Sequence, residues 1–312
     1  GPTLTLDRTL GIAELRAGEV LRFSRVVVTP GGKGVNVARL ARAFGADAVL
    51  VGFVPGRTGA AAAGLLGDEG VTLRGVAVEG EIRSTAVVLE DSGRVTVFNE
   101  PGPSLGAGDW ERFEGEVADG LVGARVLACS GSLPPGAPVD AYARLVGVAR
   151  KRGALSIVDV AGGQLGAALE AGADVVTPNL AEAEGLLLGR ADETVEAGDI
   201  DVVRSRAAAA ARELVARGAR HAVVTAAAAG AAIAWADGAQ WLVAPRVAAV
   251  RNPIGAGDAL VGGVALALER GEAFWRAASF GVACGAASVE TDTAGVVVAK
   301  RVAELAAALD GC

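Results

Sequence analysis

The stretch Asn252-Pro253-Ile254-Gly255-Ala256-Gly257-Asp258-Ala259-Leu260-Val261-Gly262-Gly263 joins a tight, glycine-bearing turn to an apolar run that continues to Leu268. That order reads as a loop feeding a buried helix over 258–268. The N–H groups of Gly255, Ala256 and Gly257 then fall at a helix N-terminus, where intrahelical partners are lacking and the macrodipole favours an anion. Asp258 follows directly, placed to take a proton from a hydroxyl that attacks a phosphoryl group held by those N–H groups. Glycine spacing by itself is weak evidence: with 45 Gly in 312 residues, roughly six Gly-x-Gly matches arise by chance. An Asp after a glycine turn is also an ordinary helix cap. The reading depends on what else the chain carries.

Outward from this stretch, short β-branched runs at 3–6, 48–53, 125–129, 155–160, 174–177 and 222–225 alternate with helical patterns at 35–44, 139–152, 180–188, 202–217 and 258–268. Such alternation predicts an α/β fold, a mostly parallel sheet covered by helices on both faces. Two segments break the rhythm. Residues 84–89 and 94–98 flank Glu90-Asp91-Ser92-Gly93 as a hairpin, and 21–28 also reads as extended. Strands without a crossover helix predict a small second sheet, a lid that excludes water from a transferring group. A further hairpin around Asp237-Gly238 joins 231–235 to 240–244. With no Pro/Ser linker and no fixed-period repeat, 1–312 reads as a single domain.

Composition removes several classes. Lys and Arg number 29 against 36 Asp and Glu, a net charge of −7, so no nucleic-acid footprint is present. The one basic cluster, Arg150-Lys151-Arg152, closes a predicted helix, where cations suit the dipole. Cys129, Cys284 and Cys312 are odd in number and unpaired in spacing, which argues against a disulfide framework and for a reducing compartment. His221 is the sole histidine, excluding a multi-histidine metal site and suggesting a structural role. The longest uncharged apolar stretch, 222–236, is interrupted by Thr225 and Gly230 and is too short to span a bilayer. No membrane partner is expected, and the protein reads as soluble and cytoplasmic.

The second chemical stretch is Pro30-Gly31-Gly32-Lys33-Gly34-Val35-Asn36-Val37-Ala38. It is not a Walker A loop, whose first Gly would fall at Val27 and whose Ser/Thr would fall at Gly34. Glycines for close approach, one cation and a helix start bearing Asn36 suit a polyhydroxy ligand with an anionic group; a glycine-rich turn with a solvated lysine is the structural alternative. No dinucleotide fingerprint exists either, because the third glycine would stand at Leu260 or Val37.

The two stretches together, Gly-Gly-Lys-Gly-x-Asn near the start and Gly-Ala-Gly-Asp near the end, resemble the ribokinase-like (PfkB) sugar kinases. Phe98-Asn99-Glu100-Pro101-Gly102, Ser130-Gly131-Ser132-Leu133-Pro134-Pro135-Gly136 and Pro178-Asn179-Leu180-Ala181-Glu182 fall between them in the family's order. Each motif is weak alone; five in order over essentially the whole chain are specific. The Asn-Glu-Pro-Gly and Gly-Ser-Leu-Pro-Pro-Gly forms are similar to the phosphosugar branch of 1-phosphofructokinases and tagatose-6-phosphate kinases.

The resemblance implies a three-layer α/β/α fold with a β lid from about 8–30 and 82–101, and an ATP-dependent phosphosugar kinase using Mg2+. It implies Asp258 as the base and Gly255, Ala256 and Gly257 as the anion hole. Lys33 and Arg83 would hold the phosphate already on the sugar, with Asp7, Gly32, Asn36, Ser130 and Ser132 at its hydroxyls. Thr225, Ala227, Gly230 and Asn179, with Gly255 and Gly257, would bind nucleotide; Asn179 and Glu182 would position magnesium. Asp159 matches a position close to the site or a capping one. Fructose 1-phosphate is the leading acceptor, with tagatose 6-phosphate or another sugar or nucleoside as the alternative. A non-catalytic sugar- or nucleotide-binding regulator on the same fold is the alternative from another class. The lid suggests a homodimer.

Three departures carry expectations. The family's Asn-Pro-Ala-x-Asp is here Thr5-Leu6-Asp7, a loss of reach of up to about 13 Å that implies a displaced Asp7 unless a segment is missing. Ala227 stands at a glycine position of the nucleotide loop, where a positive φ would be strained. Asn252 stands where many relatives carry Asp, although the phosphosugar branch often has Asn.

Overall fold

The computed structural model describes residues 1–190, 194 and 198–310. Strands β1 (Thr5–Ile12) and β2 (Arg25–Gly31) lead into α1 (Lys33–Ala43), followed by β3 (Val49–Pro55), α2 (Gly56–Asp68) and β4 (Thr72–Val78). The hairpin β5 (Arg83–Glu90) and β6 (Val95–Asn99) precedes α3 (Asp109–Gly120), β7 (Val126–Ser130), α4 (Ala141–Lys151) and β8 (Leu155–Asp159). Next come α5 (Gly162–Glu170), β9 (Val175–Val176), α6 (Leu180–Leu188), α7 (Ile200–Ala216) and β10 (His221–Thr225). Strands β11 (Gly230–Trp235) and β12 (Gly238–Val243) then give way to α8 (Ala256–Glu269), α9 (Phe274–Ser288) and α10 (Ala299–Asp310).

A six-stranded sheet runs β12-β11-β10-β9-β8-β7, parallel from β7 to β10 and antiparallel beyond. Its strands are mostly apolar on both faces because helices cover each. Val158, Val176, Ala222 and Val224 face α3 to α7, whereas Ile157, Val175, Val223 and Ile233 face α8 and α9. Neighbours in sequence thus serve opposite cores, as the period of two requires. These are the three layers the resemblance implies.

Glycine lets α8 sit close to its neighbours. A Cβ on Gly263 would lie 2.8 Å from Gly281 Cα, and one on Gly262 would lie 3.0 Å from Leu40 of α1. The contact brings the start of α8 beside the start of α1.

The second sheet, β2-β1-β5-β6, is half-buried. Its first strand starts later and runs further than 3–6, because Leu10 and Ile12 alternate onto Val88 in a small core of their own. The expected 90–93 turn is present with Gly93 at φ +84°, and Glu90 is buried in an ion pair with Arg94. A third sheet pairs β3 with β4 in parallel. His221 stacks on Phe274 at 4.1 Å, a packing role. Cys129 and Cys284 are free and buried, and Cys312 lies outside the described residues. No helix among the described residues is long and apolar enough to cross a membrane.

Candidate active site

Helix α8 opens through Gly255, whose φ of +84° and closeness to Ala294 (a Cβ would lie 2.9 Å from the Ala294 Cβ) require glycine. The N–H groups of Gly255 and Gly257 have no hydrogen-bond partner among the described residues, while that of Ala256 makes a long 3.5 Å contact to Pro253 O. Asn252 shapes this turn: its Oδ1 accepts from Ile254 N at 2.9 Å and its Nδ2 donates to Asp292 O at 3.2 Å. An Asp there could make only the first bond.

Asp258 sits in the first turn of α8, 5% exposed. Asn36 Nδ2 donates to its Oδ2 at 2.7 Å across 222 residues of sequence. Burial pushes the Asp258 pKa up to about 6, with the Asp159 charge adding and the Asn36 bond and Lys33 opposing. A carboxylate tuned this way is half-ready to accept a proton near neutral pH.

Lys33, first residue of α1, donates from Nζ to Asp159 Oδ2 at 2.8 Å. Burial alone would lower its pKa, but Asp159 chiefly, with Asp258 and Glu182, outweighs burial and holds it above the ordinary value. Asp159 ends β8 in register with Ser130 at the end of β7, and also accepts from Thr177 Oγ1 at 3.4 Å. The Ser130 hydroxyl is buried with no partner among the described residues. Ser132 is exposed, and its carbonyl accepts from Thr3 Oγ1 at 2.6 Å. Gly32 needs its φ of +111°, since a Cβ there would lie 2.6 Å from Thr3 O.

Asp7 lies in β1 between Thr29 and Thr85, its side chain against Gly31; a Cβ on Gly31 would fall 2.0 Å from Asp7 Oδ2. Burial raises its pKa against the Thr5 hydrogen bond and the charges of Arg39 and Arg83. Arg83, at the start of β5, has its Nε buried without a partner among the described residues. Asp7 therefore groups with Arg83, and Lys33 with Asp258 and Asp159.

Arg39 links the groups, and the sequence reading did not single it out. Its Nη1 donates to Asn36 Oδ1 at 3.4 Å, its Nη2 to Pro30 O at 2.7 Å, and Glu69 holds it by a bidentate pair at 2.7 Å. Its position three residues after Asn36 on one helix was the available signal.

On the far side, Asn179 and Glu182 form a reciprocal capping box on α6, at 2.8 and 3.0 Å. Asn179 bridges to Thr225, and Thr225 N donates to Pro178 O at 3.1 Å. Ala227, in the following loop, has φ +44°, alone among described non-glycine residues in being positive. Gly230 has φ +128°, and a Cβ there would lie 2.1 Å from Leu242 O.

A buried carboxylate, an open helix start and a paired cation now stand together. The family model for pfkB family carbohydrate kinases matches residues 5–300. The chain belongs to that family. It is 34% identical over 293 residues to the ATP-dependent 6-phosphofructokinase isozyme 2 of Escherichia coli K12, covering 92% of this chain and 91% of that protein. It is 30% identical over 312 residues to the 1-phosphofructokinase of the same organism, covering 99% and 96%. The tetrameric inhibited form of phosphofructokinase-2 from Escherichia coli superposes with a TM-score of 0.86 at 29% identity, covering 99% and 97%. This pfkB family chain is accordingly a phosphotransferase with a hydroxyl acceptor, of the phosphosugar branch.

Proposed function

We propose that the chain transfers the γ-phosphoryl group of ATP to a hydroxyl of fructose 1-phosphate, giving fructose 1,6-bisphosphate and ADP. Asp258 takes the hydroxyl proton. The N–H groups of Gly255, Ala256 and Gly257 stabilise charge on the transferring group, as oriented donors in a dry site do. Lys33 and Arg83 hold the phosphate already on the sugar, and Asp7, Gly32, Asn36, Ser130 and Ser132 meet its hydroxyls. Asn179, Thr225, Ala227 and Gly230, with Gly255 and Gly257, hold the nucleotide. The single observation carrying this reading is the buried Asp258–Asn36 pair at the mouth of an open helix N-terminus.

Magnesium fits as an ion held at a distance. The capping box leaves Glu182 Oε1 free among the described residues to face the ion or its waters, and Asn179 Nδ2 free to donate to a water or phosphate oxygen. No three acidic, His or Cys side chains there converge into a cage, so waters and phosphate oxygens would complete a Mg2+ shell beside Glu182 and Asn179, in keeping with its slow dehydration. Bound there, it would neutralise phosphate charge.

Fructose 6-phosphate is the second reading, favoured by the 34% identity to an ATP-dependent 6-phosphofructokinase. Steady-state ADP release across fructose 1-phosphate, fructose 6-phosphate, tagatose 6-phosphate, unphosphorylated sugars and nucleosides decides. The highest kcat/KM is expected for fructose 1-phosphate; a tenfold preference for another sugar overturns that choice. Ligand binding without ADP release would instead indicate a regulator.

We also infer that residues 1–312 act as one kinase unit whose lid, about 8–30 and 82–101, pairs with a second copy. Exposed Val26, Val28, Val97 and Phe98 on the lid strands support this. A purely monomeric sedimentation profile at micromolar concentration would remove it.

A further inference from the structure

Between Asp258 and Arg39 stands a single side chain, the amide of Asn36. Its Nδ2 donates to Asp258 Oδ2 at 2.7 Å, and its Oδ1 accepts from Arg39 Nη1 at 3.4 Å. Asn36 is buried, and its backbone is wedged by Gly295, where a Cβ would lie 2.5 Å from Asn36 Cα. Packing of the backbone leaves the terminal amide torsion open, because its preference is broad and two-fold. An amide turned end for end fills the same space but presents Oδ1, an acceptor, to Asp258.

Hydrogen-bond chemistry selects one orientation. An ionised carboxylate only accepts and a guanidinium only donates, so one amide orientation alone satisfies both neighbours. Once Asp258 is protonated, its own O–H can donate to a turned Oδ1, and the acid no longer decides. Among the described residues Arg39 is then the group that holds the amide. It is built to hold still: its side chain is 9% exposed, and three bonds of 2.7 Å run to Glu69 of α2 and to Pro30 O. Those bonds fix the guanidinium plane, a geometry that a point charge lacks. The fixed plane presents Nη1 to Asn36, three residues earlier on the same face of α1.

We propose that Arg39 is a positioning residue for phosphoryl transfer: braced by Glu69 and Pro30, it turns the Asn36 amide so that a donor faces Asp258. The inference rests on Asp258 as the base. A donor at that place stabilises the carboxylate, whereas a turned amide favours the acid, which cannot take a proton. Other charges surround the assembly. Asp159 of β8 and Lys33 of α1 act on Asp258 directly. On the other side Glu69 pairs with Arg39, and Asp7 of β1 feels the charges of both Arg39 and Arg83 of β5. In the turn that carries Gly295, Asp292 pairs with Arg251, and Glu290 pairs with Arg301 of α10. Arg39 thus has two routes to the site, one through Asn36 and one through Asp7, and the proposal is the first.

The pH dependence of kcat/KM for the phosphosugar separates the routes, measured by ADP release on Arg39→Met, Asn36→Ala and the double variant. Arg39→Met is expected to move the acid limb up by about one unit, a loss of about tenfold at pH 5 that fades to less than about threefold at pH 9. Asn36→Ala should move the limb by a similar amount, and adding Arg39→Met to it should move the limb no further. A second upward step in the double variant overturns the proposal, since Arg39 would then act through Asp7. A limb left in place by Arg39→Met overturns it as well. Arg39→Lys serves if the methionine form does not fold, because it keeps the charge beside Asp7 and Glu69. One ammonium cannot hold three partners in a plane, so its limb should also rise; an unmoved limb in folded Arg39→Lys overturns the proposal. Turnover retained by Asp258→Asn removes the base reading and this inference with it. An inactive Asp258→Asn beside an unmoved Arg39→Met limb removes only the role of Arg39.

Discussion

Helices α1 and α8 begin side by side, and each carries a charged residue in its first turn that the helix dipole would treat in opposite ways. At an N-terminus the dipole favours ionised Asp258 and disfavours protonated Lys33, by roughly 0.3–1 kcal/mol at exposed sites. Both pKa values move the other way. Burial pushes Asp258 up to about 6, and the Asp159 carboxylate overcomes burial to keep Lys33 charged. For Asp258 the rise from 3.8 to about 6 corresponds to about 3 kcal/mol, more than the dipole supplies. What tunes a charge at a helix start in this protein is its depth and its partner. The acid is left reactive because its partner, Asn36, is neutral; the cation is kept because its partner is not.

The largest test of this contrast is Asp258→Asn. As the proposed base, Asp258 should lose about 10²–10⁴-fold in kcat when replaced, measured by coupled ADP release. Its folded pKa stands above the unfolded value, so the folded state holds an extra proton between about pH 4 and 6, and stability falls as pH rises through that window. At pH 7 the ionised carboxylate is a cost, and Asp258→Asn should raise the melting midpoint by about 2–4 °C. Near-normal turnover in that variant would falsify the base assignment. In the unmodified chain, kcat/KM should drop about tenfold per unit below pH 6; a flat profile from pH 5 to 7 would show that another group titrates the reaction.

Lys33→Met is the next in size. Losing a charged bond to the sugar phosphate should raise the phosphosugar KM by about 10–100-fold while leaving the KM for ATP within twofold. An equal rise in both would mean that Lys33 serves the nucleotide or the fold. The smallest effect is expected from Ala227→Gly. Relieving a left-handed alanine is worth about 1 kcal/mol, so a slightly higher melting midpoint and a few-fold lower KM for ATP should follow. No change in either would mean that the φ of +44° is not strained in solution.

Legibility in the sequence followed the source of each element's stability. Helix α6 was found at 180–188, its bounds in the structure, because Asn179 and Glu182 cap it locally. Strands β8 and β10 were found because doubly buried strands read as near-continuous apolar runs, as 157–158 and 222–224 do. Helices α2, α3, α5, α9 and α10 and strand β4 were missed. In α2 and α9, Gly59, Gly64, Gly67, Gly281 and Gly285 mask the helical period, and these helices stand on packing rather than propensity. In the site, the glycine turns and the acids and cations beside them were visible as residue types. The Lys33–Asp159 pair, the Arg39–Glu69 brace and the buried Ser130 hydroxyl were not, because each depends on which strand ends lie side by side.

The sequence by itself determined that this is an α/β chain with a glycine-opened helix bearing an acid and a second helix start bearing a cation, since local periodicity and turn chemistry are written residue by residue. Only the tertiary structure decided that Asn36 and Asp258 share a hydrogen bond, and that Asp7 lies with Arg39 and Arg83 rather than with Asp258. Those facts arise from pairing between segments far apart in the sequence, where burial sets the charge of a group and strand order sets its neighbours.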